Sequence, residues 1–233
     1  VVLKILGRLF LMAFFCLPGL SLAMDSKDYV ADLHKKITRY SHYSVYNFSR
    51  YFKHAQVEFP PKKLAILVFK QNRRMDVYAQ GKNTSWQFIR SYPIYGASGG
   101  PGPKLKSGDN QVPEGIYRVV GLNPDSRYDL SMELNYPNDL DRQFAVMDHR
   151  MHLGSNIFIH GKHKSIGCVA IGDHAIEQLF PLVYFVGTDN VTVIIAPDDL
   201  RVYAPVTGEV HPKWLPKLYG RIKEALKDFP LHA

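Results

Sequence analysis

The stretch from Ile159 to Asp173, IHGKHKSIGCVAIGD, sets His160 and Cys168 eight residues apart, with Gly161 after the first, Gly167 before the second and Ser165 between them. A thiol whose pKa is about 8.5 is mostly protonated at neutral pH, and a nearby imidazole takes its proton or stabilises the thiolate. Gly167 removes side-chain bulk beside the sulfur and lets backbone N–H groups approach a carbonyl, which is what a developing oxyanion needs. The chemistry predicted from these residues is acyl transfer through a thioester, with Cys168 as nucleophile and His160 as general base.

The second cysteine, Cys16, lies in a segment that reads as a secretory leader. Lys4 and Arg8 open it, the apolar run LFLMAFFCL follows, and Ser21-Leu22-Ala23 supplies small residues for cleavage after Ala23. The run is short for a membrane span and is broken by Pro18-Gly19, so an uncleaved anchor is the lesser alternative. Phe14 and Phe15 before Cys16 argue against lipid attachment there. The chain is therefore expected to be exported and periplasmic. In an oxidising compartment a leftover thiol is paired between molecules, buried and inert, or chemically employed. The neighbours of Cys168 favour the last.

The chain has 233 residues and a formal charge of +8, of which +6 remains once Lys4 and Arg8 leave with the leader. That size suits one domain with a full core and a helical appendage. A basic surface fits an anionic surrounding such as a cell wall or membrane surface, and export argues against nucleic acid. No CxxC pair, phosphate-binding glycine loop or sequence repeat is present. His149, His152, His160, His163 and His174 crowd around Cys168 in sequence. No carboxylate–histidine pattern completes them into a ligand set, so no metal is expected.

The elements that must position this chemistry follow from pattern. Tyr29, Val30, Leu33 and Ile37 recur at helical spacing and predict a helix over residues 25–55. Its aromatic, basic part, YSHYSVYNFSRYF, has two readings: a surface for weak glycan or membrane contact, or a stripe that packs on the neighbouring domain, the commoner use. Pro60-Pro61 marks a boundary. LAILVFK and MDVYAQ around QNRR predict a hairpin, and SWQFIRSYPIYG, IYRVV, YDLSMEL, NIFIH, CVAI and NVTVIIA predict further strands. Asp173 is expected to cap a short helix that Pro181 interrupts or ends, and Pro212 to open a C-terminal helix. Between these lies a long loop, GASGGPGPKLKSGDNQVPEG, of the length that ordered domains reserve for function or motion. The fold expected is mainly β, a sandwich or partly closed barrel with helices at both ends. The expected divisions are 1–23 leader, 24–61 helical segment, 62–200 catalytic domain and 201–233 helical extension.

HG…SIGC resembles the signature of the L,D-transpeptidase catalytic domain, the YkuD-like family. The short interval between histidine and cysteine is closest to the YafK-like branch, as are GPKLKSGDNQVPEGIY, LNYPNDLDR and GSNIFIHG, across roughly Leu64 to Ala196. The resemblance implies a β-rich fold and a peptidoglycan stem-peptide substrate. It implies attack by Cys168 on the carbonyl at the L-centre of a diamino acid, with His160 as base and then acid. It also implies that the Gly161 carbonyl holds the imidazole tautomer, that Ser165 and Gly167 shape the loop and oxyanion site, and that no cofactor is needed. Resolution by an amine would make a transpeptidase. Resolution by water would make a hydrolase, including one that releases wall-linked lipoprotein, and a wall-binding module with a dead site is the non-enzymatic alternative. Lys104, Tyr136, His152 and His163 are candidate substrate contacts, with solvated or structural roles as their alternatives. Asp109 is expected in a turn.

Overall fold

The computed structural model describes residues 26–82, 85–205 and 211–232, so the expected leader lies outside the described residues. Among these the chain forms four α-helices and nine strands. α1 spans Ser26–His54, followed by β1 Lys63–Phe69, β2 Arg74–Gln80, β3 Gln87–Pro93 and β4 Gly96–Ala97. Next come β5 Gly115–Ser126, β6 Asp129–Leu134, α2 Asp139–Met147, β7 Phe158–His160 and β8 Val169–Ala170. α3 Asp173–Val186, β9 Val191–Ala196 and α4 Leu215–Leu226 complete the chain. No helix among the described residues is long and apolar enough to cross a membrane.

The strands lie in the order β3-β2-β1-β9-β5-β6-β7-β8-β4, a mixed sheet that stays open, so the barrel alternative does not close. The mainly β fold with a helix at each end is as expected. β1 pairs with β2 as the predicted hairpin, but it runs parallel to β9, from the far end of the sequence. Its run KLAILVF reads apolar throughout because both faces are covered. Leu64, Ile66 and Val68 enter the main core, while Ala65, Leu67 and Phe69 enter a second core closed by α4. β5 is long and has two register shifts, and it pairs first with β9 and then with β6. Such irregularities bend a strand, and here the bend joins the half of the sheet under α4 to the half that carries β7 and β8.

α1 buries Ile37, Tyr40, Phe48 and Phe52 in the main core, so the packing reading describes its aromatic stripe. α2 was not expected. Its signal is the capping box in which Asn138 and Asp141 exchange hydrogen bonds at the helix start. Three further expectations are corrected. α3 runs through Pro181, because Leu179, Phe180, Leu182 and Val183 around it are fully buried and their burial outweighs the ~3 kcal/mol a helical proline costs. Gly172, not Asp173, stands at its N-cap, and Asp173 instead accepts the Lys162 N–H at 2.7 Å. Pro216, not Pro212, occupies the first turn of α4.

Candidate active site

β7 and β8 lie side by side and parallel, with Ile159 opposite Val169 and His160 opposite Ala170. Parallel neighbours ordinarily need a crossover of a dozen or more residues. Strands of three and two residues need a return of only about 10 Å, which the interval from Gly161 to Cys168 spans easily. Extending the register by one residue sets Cys168 across from Phe158. Side chains alternate along a strand, so Cys168 and His160 share one face of the sheet, diagonally placed.

The loop between them is held at several points. Ile171 N–H donates to His160 O at 2.9 Å and Gly172 N–H to Lys162 O at 3.0 Å. The Ser165 hydroxyl donates to Cys168 O at 2.6 Å, and it accepts from the Gly167 N–H at 3.2 Å and from the Ser98 N–H, beside β4, at 3.1 Å. The Gly167 N–H is therefore occupied within the loop, which leaves Gly167 a conformational role. Its φ of +122° is one that residues with a side chain rarely adopt. At Gly161 the reason for glycine is space. A Cβ there would stand 2.5 Å from Tyr128 O and 2.7 Å from an Asp173 carboxylate oxygen.

His160 is 2% exposed, and the Tyr128 ring covers it with ring centroids 4.4 Å apart. Its Nδ1 lies 2.5 Å from Gly161 O. A carbonyl only accepts, so Nδ1 carries the proton and Nε2 carries the lone pair of a base. Burial pushes the imidazole pKa below its ordinary 6.5, against the pull of the Gly161 carbonyl. The Cys168 thiol donates to Asn156 O at 3.7 Å. Burial raises its pKa above 9.0, while a backbone hydrogen bond from Phe158 and the charge of Lys104 act the other way. Near neutrality both groups are therefore uncharged. The resting pair is thiol and imidazole, not thiolate and imidazolium.

This determines a pH dependence. The reactive form needs neutral His160, so kcat/KM should fall as the pH drops through the lowered imidazole pKa, below 6.5, and stay level above it. The thiol stays protonated to above pH 9, so at pH 7 at most about 1% is thiolate. Alkylation of Cys168 by iodoacetamide should thus be slow at pH 7, rise about tenfold per pH unit and show no plateau up to pH 9. Fast alkylation at pH 6–7 would reveal an ion pair and overturn this account.

The other candidates are placed differently from one another. Lys104 is buried, pairs with Asp109 at 2.5 Å and donates to Lys106 O at 2.9 Å, so its ammonium is engaged within the protein rather than held out to a ligand. Asp109 also accepts from the N–H groups of Leu105, Lys106 and Gln111, as a turn residue does. Burial alone would raise its pKa, but these hydrogen bonds hold the carboxyl below its ordinary range. Tyr136 turns into the core and donates to Leu153 O at 3.1 Å. His152 is exposed at the edge of an open cleft of about 600 Å³ bordered by Arg142, Arg150 and Gly154. His163 is exposed on the loop, edge-on to Tyr95 at 4.5 Å between centroids. No group of three or more His, Cys, Asp or Glu residues among the described residues is arranged to hold a metal. Sequence reasoning missed Ser98, Tyr128 and Asn156. Asn156 stands four residues before His160 in the recognised motif, but the contacts of Ser98 and Tyr128 leave no local signal.

Residues 63–195 match the YkuD family, the L,D-transpeptidase catalytic domain. Over 137 residues the chain is 36% identical to the protein named "Putative L,D-transpeptidase YafK" in Escherichia coli K12, and equally to its counterpart in E. coli O157:H7. The match covers 57% of this chain and 53% of each relative, so the chain spans about half the length of the curated relatives it matches. Among solved structures, the helical cell shape determining protein Pgp2 of Campylobacter jejuni is similar at 22% identity and a TM-score of 0.49, over 62% of this chain and 50% of that one. Bd1075 of Bdellovibrio bacteriovorus is similar at 21% and 0.44, over 71% and 54%.

Proposed function

Because the chain belongs to the L,D-transpeptidase catalytic-domain (YkuD) family, we propose that it modifies peptidoglycan as a cysteine acyltransferase. The observation that carries the reading is the pairing of a neutral, Nδ1-protonated His160 with a half-buried Cys168 on the same face of adjacent strands. The thiol proton passes to His160 Nε2 as the sulfur bonds to the carbonyl at the L-centre of a diamino acid in the stem peptide. The tetrahedral intermediate collapses, the amide C–N bond breaks, and the imidazolium returns its proton to the leaving amine. A thioester remains on Cys168.

An acceptor amine then attacks the thioester and gives its proton to His160; the C–S bond breaks as the new amide forms, and the imidazolium returns the proton to the Cys168 sulfur. One amide is exchanged for another, so no cofactor or external energy source enters. Water in place of the amine would make the same site a hydrolase, trimming stems or releasing wall-linked lipoprotein. The site belongs in the periplasm on this reading, where the wall is reached. Ser165 holds the nucleophile loop, and Lys104 acts on the thiol through its charge rather than as a substrate ligand.

Mass spectrometry of products made from tetrapeptide muropeptides, 3–3 dimers and lipoprotein-linked wall tests this, with a Cys168→Ala control. New 3–3 dimers or amine-exchanged stems, made only with the thiol present, establish transpeptidation. Free tripeptide stems or released lipoprotein establish hydrolysis. Identical products from the control sink both.

A further inference from the structure

α1 has an inner and an outer side of different chemistry. Ile37, Tyr40, Phe48 and Phe52 enter the main core. Lys35, Arg39, His42, Tyr46, Arg50 and Lys53 follow one another at steps of three or four, so they share one stripe, and all six are exposed. The stripe lies on the side away from the core residues and runs about 27 Å along the helix.

Its charge has one sign. From Leu33 to Val57 the sequence holds five lysines and arginines and no aspartate or glutamate. A solvated helix face ordinarily interleaves both signs, because opposite charges at i,i+4 stabilise it and like charges there cost similar amounts. No carboxylate three or four residues away answers Arg39, Arg50 or Lys53. α4 and the residues just after it are the contrast: Glu224 and Asp228 stand among their lysines, and Lys227 pairs with Glu224 at 2.6 Å.

A row of uncompensated cations attracts an anionic partner. The outer side of a helix is convex, so it suits an extended charged surface better than a small anion, which needs a concave site. Tyr46, 80% exposed in the middle of the stripe, and the exposed Val45 beside it add apolar groups among the cations. A ring with a polar tip between lysines and arginines is what settles at the headgroup level of a bilayer. Topology adds the second argument. Ile159 and Val169 point into the same main core as α1. Side chains alternate along a strand, so His160 and Cys168 open on the opposite face of the sheet. With the stripe against a membrane, the candidate active site therefore looks away from it.

We infer that the outer side of α1 is a docking surface for a bilayer that carries anionic phospholipid, and that it turns the open face of β7 and β8 away from the membrane. Cosedimentation with vesicles tests this, using the chain from Met24 onward and phosphatidylcholine with or without about one-third phosphatidylglycerol. Binding is expected only with the anionic lipid, and it should weaken at least about tenfold when NaCl rises from about 0.1 M to about 0.5 M. The variant Lys35→Gln/Arg39→Gln/Arg50→Gln/Lys53→Gln should bind at least about tenfold more weakly. The matched variant Lys213→Gln/Lys217→Gln/Arg221→Gln/Lys223→Gln removes the same charge around α4 and should stay within about threefold of the wild type.

Both variants should melt near the wild type, because all eight side chains are exposed. Should the fourfold change on α1 unfold, Lys35→Gln/Arg39→Gln and Arg50→Gln/Lys53→Gln should each still lower binding at least about threefold. Equal losses in the two fourfold variants would be an effect of net charge and would overturn the inference. Equal binding to both kinds of vesicle would do the same. So would a protein that ignores vesicles but cosediments with purified sacculi through the same four residues, which gives this face to the wall polymer. None of these outcomes touches the acyl-transfer reading, since soluble muropeptides reach Cys168 without a bilayer.

Discussion

Replacing Cys168 with alanine is expected to abolish turnover on every wall substrate, and replacing His160 with alanine to lower kcat/KM by at least about a thousandfold. The reason lies in the protonation state of the resting site. Burial raises the thiol pKa, so almost no preformed thiolate exists at neutral pH. The proton must move during attack, and Nε2 of His160 is the base left available once Gly161 O holds Nδ1. Thiol and imidazole act as one unit, so the Cys168→Ala/His160→Ala double variant should be no slower than Cys168→Ala alone. Folding should survive the first change. Cys168 sits at the end of the loop directly before β8, and alanine removes only the sulfur and its contact with Asn156 O. Near-normal thermal unfolding together with zero turnover is the expected result, measured on product by mass spectrometry. Turnover retained by Cys168→Ala would end the thioester mechanism.

Lys70→Met should give the largest loss of stability from a single change distant from the thiol, about 3–5 kcal/mol. Lys70 and Glu114 form a salt bridge of 3.0 Å with both side chains buried. Glu114 also accepts from Tyr219 of α4 at 2.9 Å, and removing the ammonium leaves its carboxylate charged and enclosed. For a domain of this size the expected fall in Tm is roughly 6–20 °C. The double change Lys70→Met/Glu114→Leu should recover most of it, because two apolar groups bury no charge. A single variant that melts within a degree or two of wild type would show that water reaches Glu114. The same ammonium donates to Gly102 O at 2.8 Å and to Val112 O at 2.9 Å, so it pins the long glycine-rich loop. That loop lies against the nucleophile loop at Gln111 O, 3.5 Å from where a Cβ on Gly167 would stand. Loss of activity in Lys70→Met below its melting temperature would follow from that contact.

The parts of the fold that were legible are those whose signal is local. β1, β2, β5, β6 and β9 carry apolar, β-branched runs bounded by turn residues, and α1 carries the helical period. α2 escaped because few of its residues face inward, chiefly Phe144 and Ala145, although its capping box was present in NDLD. Pro181 misled because a local penalty was weighed without the burial around it. Lys104 looked like a free cation because its partner is chosen by the path of the loop.

The sequence by itself determined the candidate catalytic residues and their order, since His-Gly, Ser-x-Gly and Cys are stated within nine positions and their chemistry belongs to the side chains themselves. It also determined the alternation that makes sheets and the class of reaction proposed for such a pair. Only the tertiary structure decided that β7 and β8 run parallel, so that the two side chains share a face. It decided that Ser98 meets Ser165 across 67 residues, that Tyr128 covers His160, and that the glycine-rich loop is tied to Lys70. It decided as well that thiol and imidazole rest uncharged. A protonation state depends on desolvation and on what stands nearby in space, and neither is a property of neighbouring letters in a chain.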